Sequence, residues 1–271
     1  MRHVRGYCAR EHEKRCEPHG NVVTQRMPES RDRANRPSLQ TRELLMNFLL
    51  SFWRSTVGTK VVVAVTGLFL FAFTLFHMIG NLQVFTGPGD MDAYGAFLHK
   101  PEVLWGGRAL VSTSILLHIV GTVKLVKTTA AARPQGYRKW TAQASTFYSR
   151  TMKFTGPLVL VYFVVHLLNL TTGAEPGHIA LHPNYLQTDG VPKAFENLTA
   201  LLGNPLWAAF YIVANLALGF HLWHGAYSMC KTLGLSGHRQ LRLARIIASL
   251  LTATVVGGNI AITTACVLHL V

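Results

Sequence analysis

The sequence predicts an all-α integral membrane protein of five transmembrane helices, the first four forming a bundle. Hydrophobic residues make up 49% of the chain and charged residues only 14%, against about 25% charged in ordinary soluble domains. Mean hydropathy is positive, at +0.26. The apolar residues gather into five runs, roughly 59–85, 104–128, 152–172, 205–231 and 243–270, and a bilayer-crossing helix needs about 20 residues. Helices are the expected form, because open strands leave backbone groups unsatisfied in lipid.

Residues 1–45 precede the membrane domain of 46–271 and have a different composition. They hold 10 Lys/Arg and 6 Asp/Glu with few large apolar residues, the signature of a segment too polar to fold on its own. No apolar stretch of signal-peptide type occurs there. The segment reads as a basic, disordered cytoplasmic tail, or as an over-extended start with Met46 as initiator. Gly87, Pro88 and Gly89 break the chain after the first run. Gly136 marks the second connection, and Pro176, Pro183, Pro192 and Pro205 punctuate the third.

Net charge is +14, a balance that in a soluble chain would suggest nucleic acid. Here the bases fall between apolar runs, so membrane topology explains them and no nucleic-acid partner is expected. Lys124, Lys127, Arg133, Arg138, Lys139, Arg150 and Lys153 flank the second connection, and Lys231, Arg239, Arg242 and Arg245 the fourth. The first and third connections instead hold Asp90, Asp92, Glu102, Glu175, Asp189 and Glu196. The positive-inside rule then places the N-terminus in the cytoplasm and the C-terminus outside. Cys8, Cys16, Cys230 and Cys266 form no CxxC or CxxCH, so neither a zinc ribbon nor covalent haem attachment has its spacing.

Five histidines stand within the first four runs: His77, His118, His166, and the pair His221 and His224. An ionisable residue at that depth is a functional hypothesis by default; the alternative is a hydrogen bond to a neighbouring helix. Depth sharpens the choice. At about 1.5 Å per residue, His77 lies roughly 26 Å beyond Lys60 and His166 roughly 20 Å beyond Lys153. On the returning helices His118 lies roughly 14 Å before Lys127 and His221 roughly 15 Å before Lys231. Two levels result: an outer pair, His77 with His166, and an inner pair, His118 with His221. Haem iron takes axial histidine, and helix bundles build cofactor sites from facing side chains. Zinc would want three or four ligands at one level. Two b-type haems, each between two histidines, fit the pattern best, with His224 as the alternative to His221. No Asp or Glu lies inside the five runs, which favours electron transfer over ion translocation.

Three stretches resemble the five-helix, di-haem cytochrome b subunit that anchors bacterial succinate dehydrogenase or fumarate reductase. The first run reads GTKVVVAVTGLFLFAFTLFHMIGNLQVF, with the TG and H-x-x-GN of that family. The third begins SRTMKFTGPLVLVYFVVHL, with its S-R, T-G and H. The fourth, NPLWAAFYIVANLALGFHLWHGAYSMCKTLG, follows a His by Gly four places on and an aromatic six places on. That last spacing selects His221, with Gly225 and Tyr227, over His224. The resemblance covers about residues 46–271. It implies a multi-pass protein of the bacterial inner membrane that does no chemistry on succinate itself. An iron–sulfur subunit and an FAD-containing flavoprotein would bind on the cytoplasmic side, and a quinone, often menaquinone, near the outer haem. Some fumarate reductases of this type carry a glutamate two residues before the fourth-helix ligand for proton transfer. Gly219 stands there in this chain, which argues against that proton path. The competing readings are a di-haem cytochrome b of a hydrogenase, nitrate reductase or formate dehydrogenase, and a haem-free transporter.

Weaker candidates complete the site. Asn81, His99, Glu102 and Arg108, at the outer ends of the first two runs, are candidate quinone contacts or headgroup-solvated residues. Arg150 and Lys153 are candidate partners of the inner haem propionates, or interface anchors. Trp105, Trp140 and Trp207 suit an aromatic belt, and Gly257 and Gly258 close helix packing.

Overall fold

The computed structural model describes residues 36–132, 147–172 and 186–271. The tail to residue 35, Gly136, Arg133, Arg138, Lys139 and Trp140, and Glu175, Pro176 and Pro183 lie outside the described residues. The chain divides into two units, 1–48 and 49–271.

Five helices are long and apolar enough to cross a membrane. These are α2 (Thr56–Asn81, continued by a 3₁₀ turn Leu82–Phe85), α4 (Pro101–Ala131), α5 (Phe147–Leu170), α7 (Pro205–Thr232) and α8 (His238–Val267). Preceding them is α1 (Arg36–Arg54), and two short helices, α3 (Pro88–Leu98) and α6 (Ala194–Leu202), lie in the connections. The protein is therefore a multi-pass, all-α membrane protein. Its five spans match those expected from the sequence to within a few residues at each end.

Helix α1 begins at Arg36, inside the stretch that composition reads as tail. Leu44, Leu45 and Met46 in it are exposed. The basic stretch around them hides this apolar segment when composition is averaged over 45 residues.

Local chemistry sets the helix ends. Ser55 caps α2 by accepting the Gly58 N–H at 2.8 Å, and Asn204 caps α7 by accepting from Leu206 N–H at 2.9 Å, each replacing an orphan first-turn partner. Pro101 and Pro205 open α4 and α7, where the missing N–H costs nothing. At the far end of α7, Gly234 takes φ +104°. Leu235 N–H bonds Cys230 C=O at 3.0 Å and Gly234 N–H bonds Lys231 C=O at 3.2 Å, a Schellman stop that uses glycine's freedom at positive φ.

In the bundle, α2 packs against α4, α7 and α8, while α5 packs against α7 and α7 against α8. The ends of α2, α4, α5, α7 and α8 that carry Lys60, Lys124, Lys153, Lys231 and Arg245 form one basic end. There the Lys124 ammonium donates to the Trp53 carbonyl and to Thr59 Oγ1 at 3.0 Å, tying α4 to the start of α2. Arg245 donates to the Tyr227 hydroxyl at 3.3 Å and stacks over its ring at 5.0 Å.

The opposite end is closed by the two short helices. Asp92 of α3 accepts the Phe195 N–H of α6 at 3.0 Å, so one connection caps a helix in another. A two-residue hairpin turn, Asp189–Gly190 with φ of 51° and 76°, joins strands β1 (Gln187–Thr188) and β2 (Val191–Pro192), as positive φ at both turn positions requires. Asn197 clamps the strand's approach by bonding Leu186 N–H and C=O at 2.7 and 2.8 Å. Beneath this layer Val84, Met91, Leu198, Leu201, Leu202, Tyr211, Ile262 and Cys266 form a buried core. A second cluster of Phe71, Leu218, Leu222, Ala226, Ala248 and Val255 fills the bundle nearer the basic end. Outward positions such as Leu68, Phe76, Leu116, Val161, Val213 and Leu250 are exposed and apolar, as lipid-facing positions should be.

Candidate functional site

Four of the five intramembrane histidines meet as two pairs. The His77 ring of α2 lies 5.6 Å from the His166 ring of α5, centroid to centroid and perpendicular. The His118 ring of α4 lies 6.5 Å from the His221 ring of α7, inclined by 63°. In both cases the backbones carrying the pair do not pack extensively on one another. The imidazoles reach across the bundle diagonal, between helices held apart by their other neighbours.

The two levels can be measured on two helices. On α2, Gly67 faces His118: a Cβ there would lie 3.2 Å from its Cε1. His77 is ten residues further along α2, about 15 Å at helical rise. On α5, a Cβ on Gly156 would lie 3.9 Å from His221 Cε1, and His166 is again ten residues further, about 15 Å. Helices α2 and α5 thus each supply a histidine to one level and a Thr-Gly step, Thr66–Gly67 or Thr155–Gly156, to the other. The glycines leave the space beside the second pair free of side chains.

Thr66 fixes one tautomer. Its hydroxyl donates to the Val62 carbonyl at 2.7 Å and lies 3.2 Å from His118 Nδ1. With its proton so committed, the hydroxyl oxygen accepts from Nδ1–H. The His118 Nε2 lone pair is then left free, the arrangement that suits a metal-binding imidazole. Buried Nδ1 atoms of His166 and His221 have no hydrogen-bond partner among the described residues, so no side chain holds these two rings as Thr66 holds His118. His77 differs: it is stacked on Phe73 at 5.6 Å, and its Nε2 lies 3.3 Å from Asn81 Nδ2. To ligate through Nε2 it must give up Asn81.

An imidazole–metal–imidazole sandwich, with metal–nitrogen bonds of about 2.0–2.1 Å and the ring radius added on each side, spans roughly 6 Å between ring centroids. The observed 5.6 and 6.5 Å are compatible with that value and also fall in the range of about 4.5–7 Å found in ordinary ring packing. Among the described residues no group of three or more His, Cys, Asp or Glu converges on one point. The donor set therefore suits a metal that brings its own equatorial ligands, as haem iron does. His221 and His224 are both partly buried, and the ring that faces His118 is that of His221.

Other candidates are distributed unevenly. Asn81 reaches His77, as above. His99 instead caps α3, its Nδ1 lying 2.8 Å from the Gly95 carbonyl. Arg108 stacks over Trp105 at 5.3 Å, and Glu102 is exposed in the first turn of α4. Arg150 and Lys153 are exposed at the basic end of α5, with Lys153 one turn below Gly156 and hence on the side of the His118–His221 level.

Several residues near the pairs went unnoticed in the sequence. Tyr162 and Tyr211 stand 5.8 and 6.1 Å from the His166 ring. Buried Asn169 donates to the Tyr211 hydroxyl at 3.4 Å, and Asn259 bonds Asn215 at 2.7 Å, so a polar strip runs beside the His77–His166 level. The Thr-Gly steps carried a usable signal, since TG stands the same ten residues before His in both α2 and α5. Gly219 also has a packing role: a Cβ there would come within 2.8 Å of Val256 Cγ2, so α8 occupies the space a longer side chain would need. Comparison of the chain with known protein families, with curated proteins and with solved structures finds no match.

Proposed function

We propose that this chain is the di-haem cytochrome b membrane anchor of a bacterial succinate dehydrogenase or fumarate reductase. The observation that carries the cofactor assignment is the pairing of His77 with His166 and His118 with His221 across helices that do not pack extensively on one another. The succinate assignment rests on the resemblance of its first, third and fourth spans to that family. Bound at the two levels, b-type haems would supply single-electron transfer between the two faces of the membrane.

The chain's own residues do the positioning. Thr66 holds the His118 ring with Nε2 free, and Gly67 and Gly156 keep the flanking space open. Apolar Phe71, Leu218 and Leu222 exclude water from the region between levels. Lys153 and Arg150, exposed at the basic end, would meet the haem carboxylates there, and Asn81 would meet a quinone oxygen near His77. Positive-inside charge assigns the basic end to the cytoplasm, where the iron–sulfur and flavoprotein subunits would dock.

Thr66→Val should weaken cofactor retention at the His118–His221 level by about 10- to 100-fold, the usual cost of losing an outer-shell partner. Haem transfer to an excess of apomyoglobin would measure it, and Thr66→Ser should restore retention. The wider assignment is tested by purifying the membrane complex through a tag on this chain. Succinate should reduce its cytochrome absorbance; a co-purifying molybdenum or nickel enzyme, with no response to succinate, would contradict it.

A further inference from the structure

At the basic end, α2 and α7 form a pocket of about 340 Å³ lined by Val57, Lys60, Val61, Ser228, Lys231 and Thr232. We propose that this pocket binds the phosphate headgroup of an anionic phospholipid. Two lysines line it, from different helices, and no acidic side chain among the described residues forms an ion pair with either. Two positive side chains on one small pocket, with no carboxylate beside them, give it a potential that favours an anion. The Lys231 ammonium is also held over the Tyr227 ring at 5.6 Å.

Its two walls differ in chemistry. Lys60, Lys231 and the Ser228 hydroxyl offer donors, whereas the Thr232 hydroxyl is already committed to the Ser228 carbonyl at 3.1 Å. Val57 and Val61 present apolar surface, Val57 being 70% exposed. A glycerophosphate with an attached acyl chain matches both walls; a free phosphate would use only one. Position points the same way. Thr56 and Thr232 are the terminal residues of their spans, so the pocket opens where hydrocarbon gives way to headgroups. Basic pockets between spans recognise acidic lipid headgroups at that depth.

The test is native mass spectrometry of the full chain, purified in mild detergent with its accompanying subunits. It is titrated separately with phosphatidylglycerol, phosphatidylcholine and inorganic phosphate. Phosphatidylglycerol should bind in preference to phosphatidylcholine. Lys60→Gln or Lys231→Gln should weaken that binding about 5-fold, and the two together about 30-fold, as expected for basic residues at an anionic surface. Lys60→Arg with Lys231→Arg should retain it, showing that charge and not folding is read. Unchanged phosphatidylglycerol binding in the paired glutamine variant would overturn the proposal. So would displacement by inorganic phosphate at equal concentration, the mark of a free-anion site. Loss of cytochrome absorbance in that variant with lipid binding intact would also overturn it, reassigning the pocket to cofactor carboxylates.

Discussion

His118→Ala and His221→Ala are each expected to lower the haem content of the purified chain by one per polypeptide, and the two combined to lower it no further. The expectation follows from ring geometry. Each ring faces one other ring across the bundle, at 6.5 Å for this pair, so deleting either leaves a single imidazole on its level. Residues that act as one unit are non-additive, whereas sites far apart add. His118→Ala combined with His77→Ala should therefore remove both haems, because those residues stand on levels about 15 Å apart. His224→Ala should remove none. Pyridine haemochrome spectra normalised to protein measure all five cases. Loss of a haem in His224→Ala, with His221→Ala unaffected, would exchange the roles of these two residues.

Gly258→Val is expected to destabilise the protein by about 1–3 kcal/mol, the usual cost of overpacking a filled interior. Met78 Sδ already lies inside contact distance of the place a Cβ on Gly258 would occupy, and Met78 is 1% exposed. Met78 is flexible enough to yield partly, but Val255 beside it on α8 is fully buried and leaves little room. The effect should also reach the site, because Met78 directly follows His77. Displacing it shifts His77 against His166 while leaving His118 and His221 in place. Thermal unfolding should show the loss, and haem retention should fall only at the His77 level. Met78→Ala in the same chain should recover part of the stability lost. If Met78→Ala added its full cost instead, the two residues would not be in contact.

The parts of this fold legible in the sequence are those whose signal is local. A run of about 20 apolar residues is sufficient to indicate a span, and all five were visible that way. Helices α3 and α6 were not, because PGDMDAYGAFL reads as Gly- and Pro-rich punctuation. What orders them is tertiary: Asp92 capping α6 and a core shared with α7 and α8. Asp92 looked like one more loop acid. In α1, a short apolar segment was masked by its basic surroundings.

The site divides along the same line. Counting residues from the flanking lysines gave two levels of histidine, and the structure brings together the same two pairs. Thr66 was visible as part of a motif, but its hold on His118 depends on the α2–α4 contact, 52 residues away in sequence. The crossed arrangement, in which α2 and α5 each serve both levels, requires the bundle's packing order. His99 and Arg108, chosen for chemistry and depth, also have local partners in Gly95 and Trp105. Depth alone could not indicate that.

The most direct measurement is the haem content of the wild-type chain, by pyridine haemochrome spectroscopy on the complex purified from membranes. The account predicts two non-covalent b-type haems per polypeptide, one for each histidine pair. A colourless protein that retains its helical content would contradict it, leaving the paired imidazoles without the metal that their spacing and the Thr66 tautomer suit.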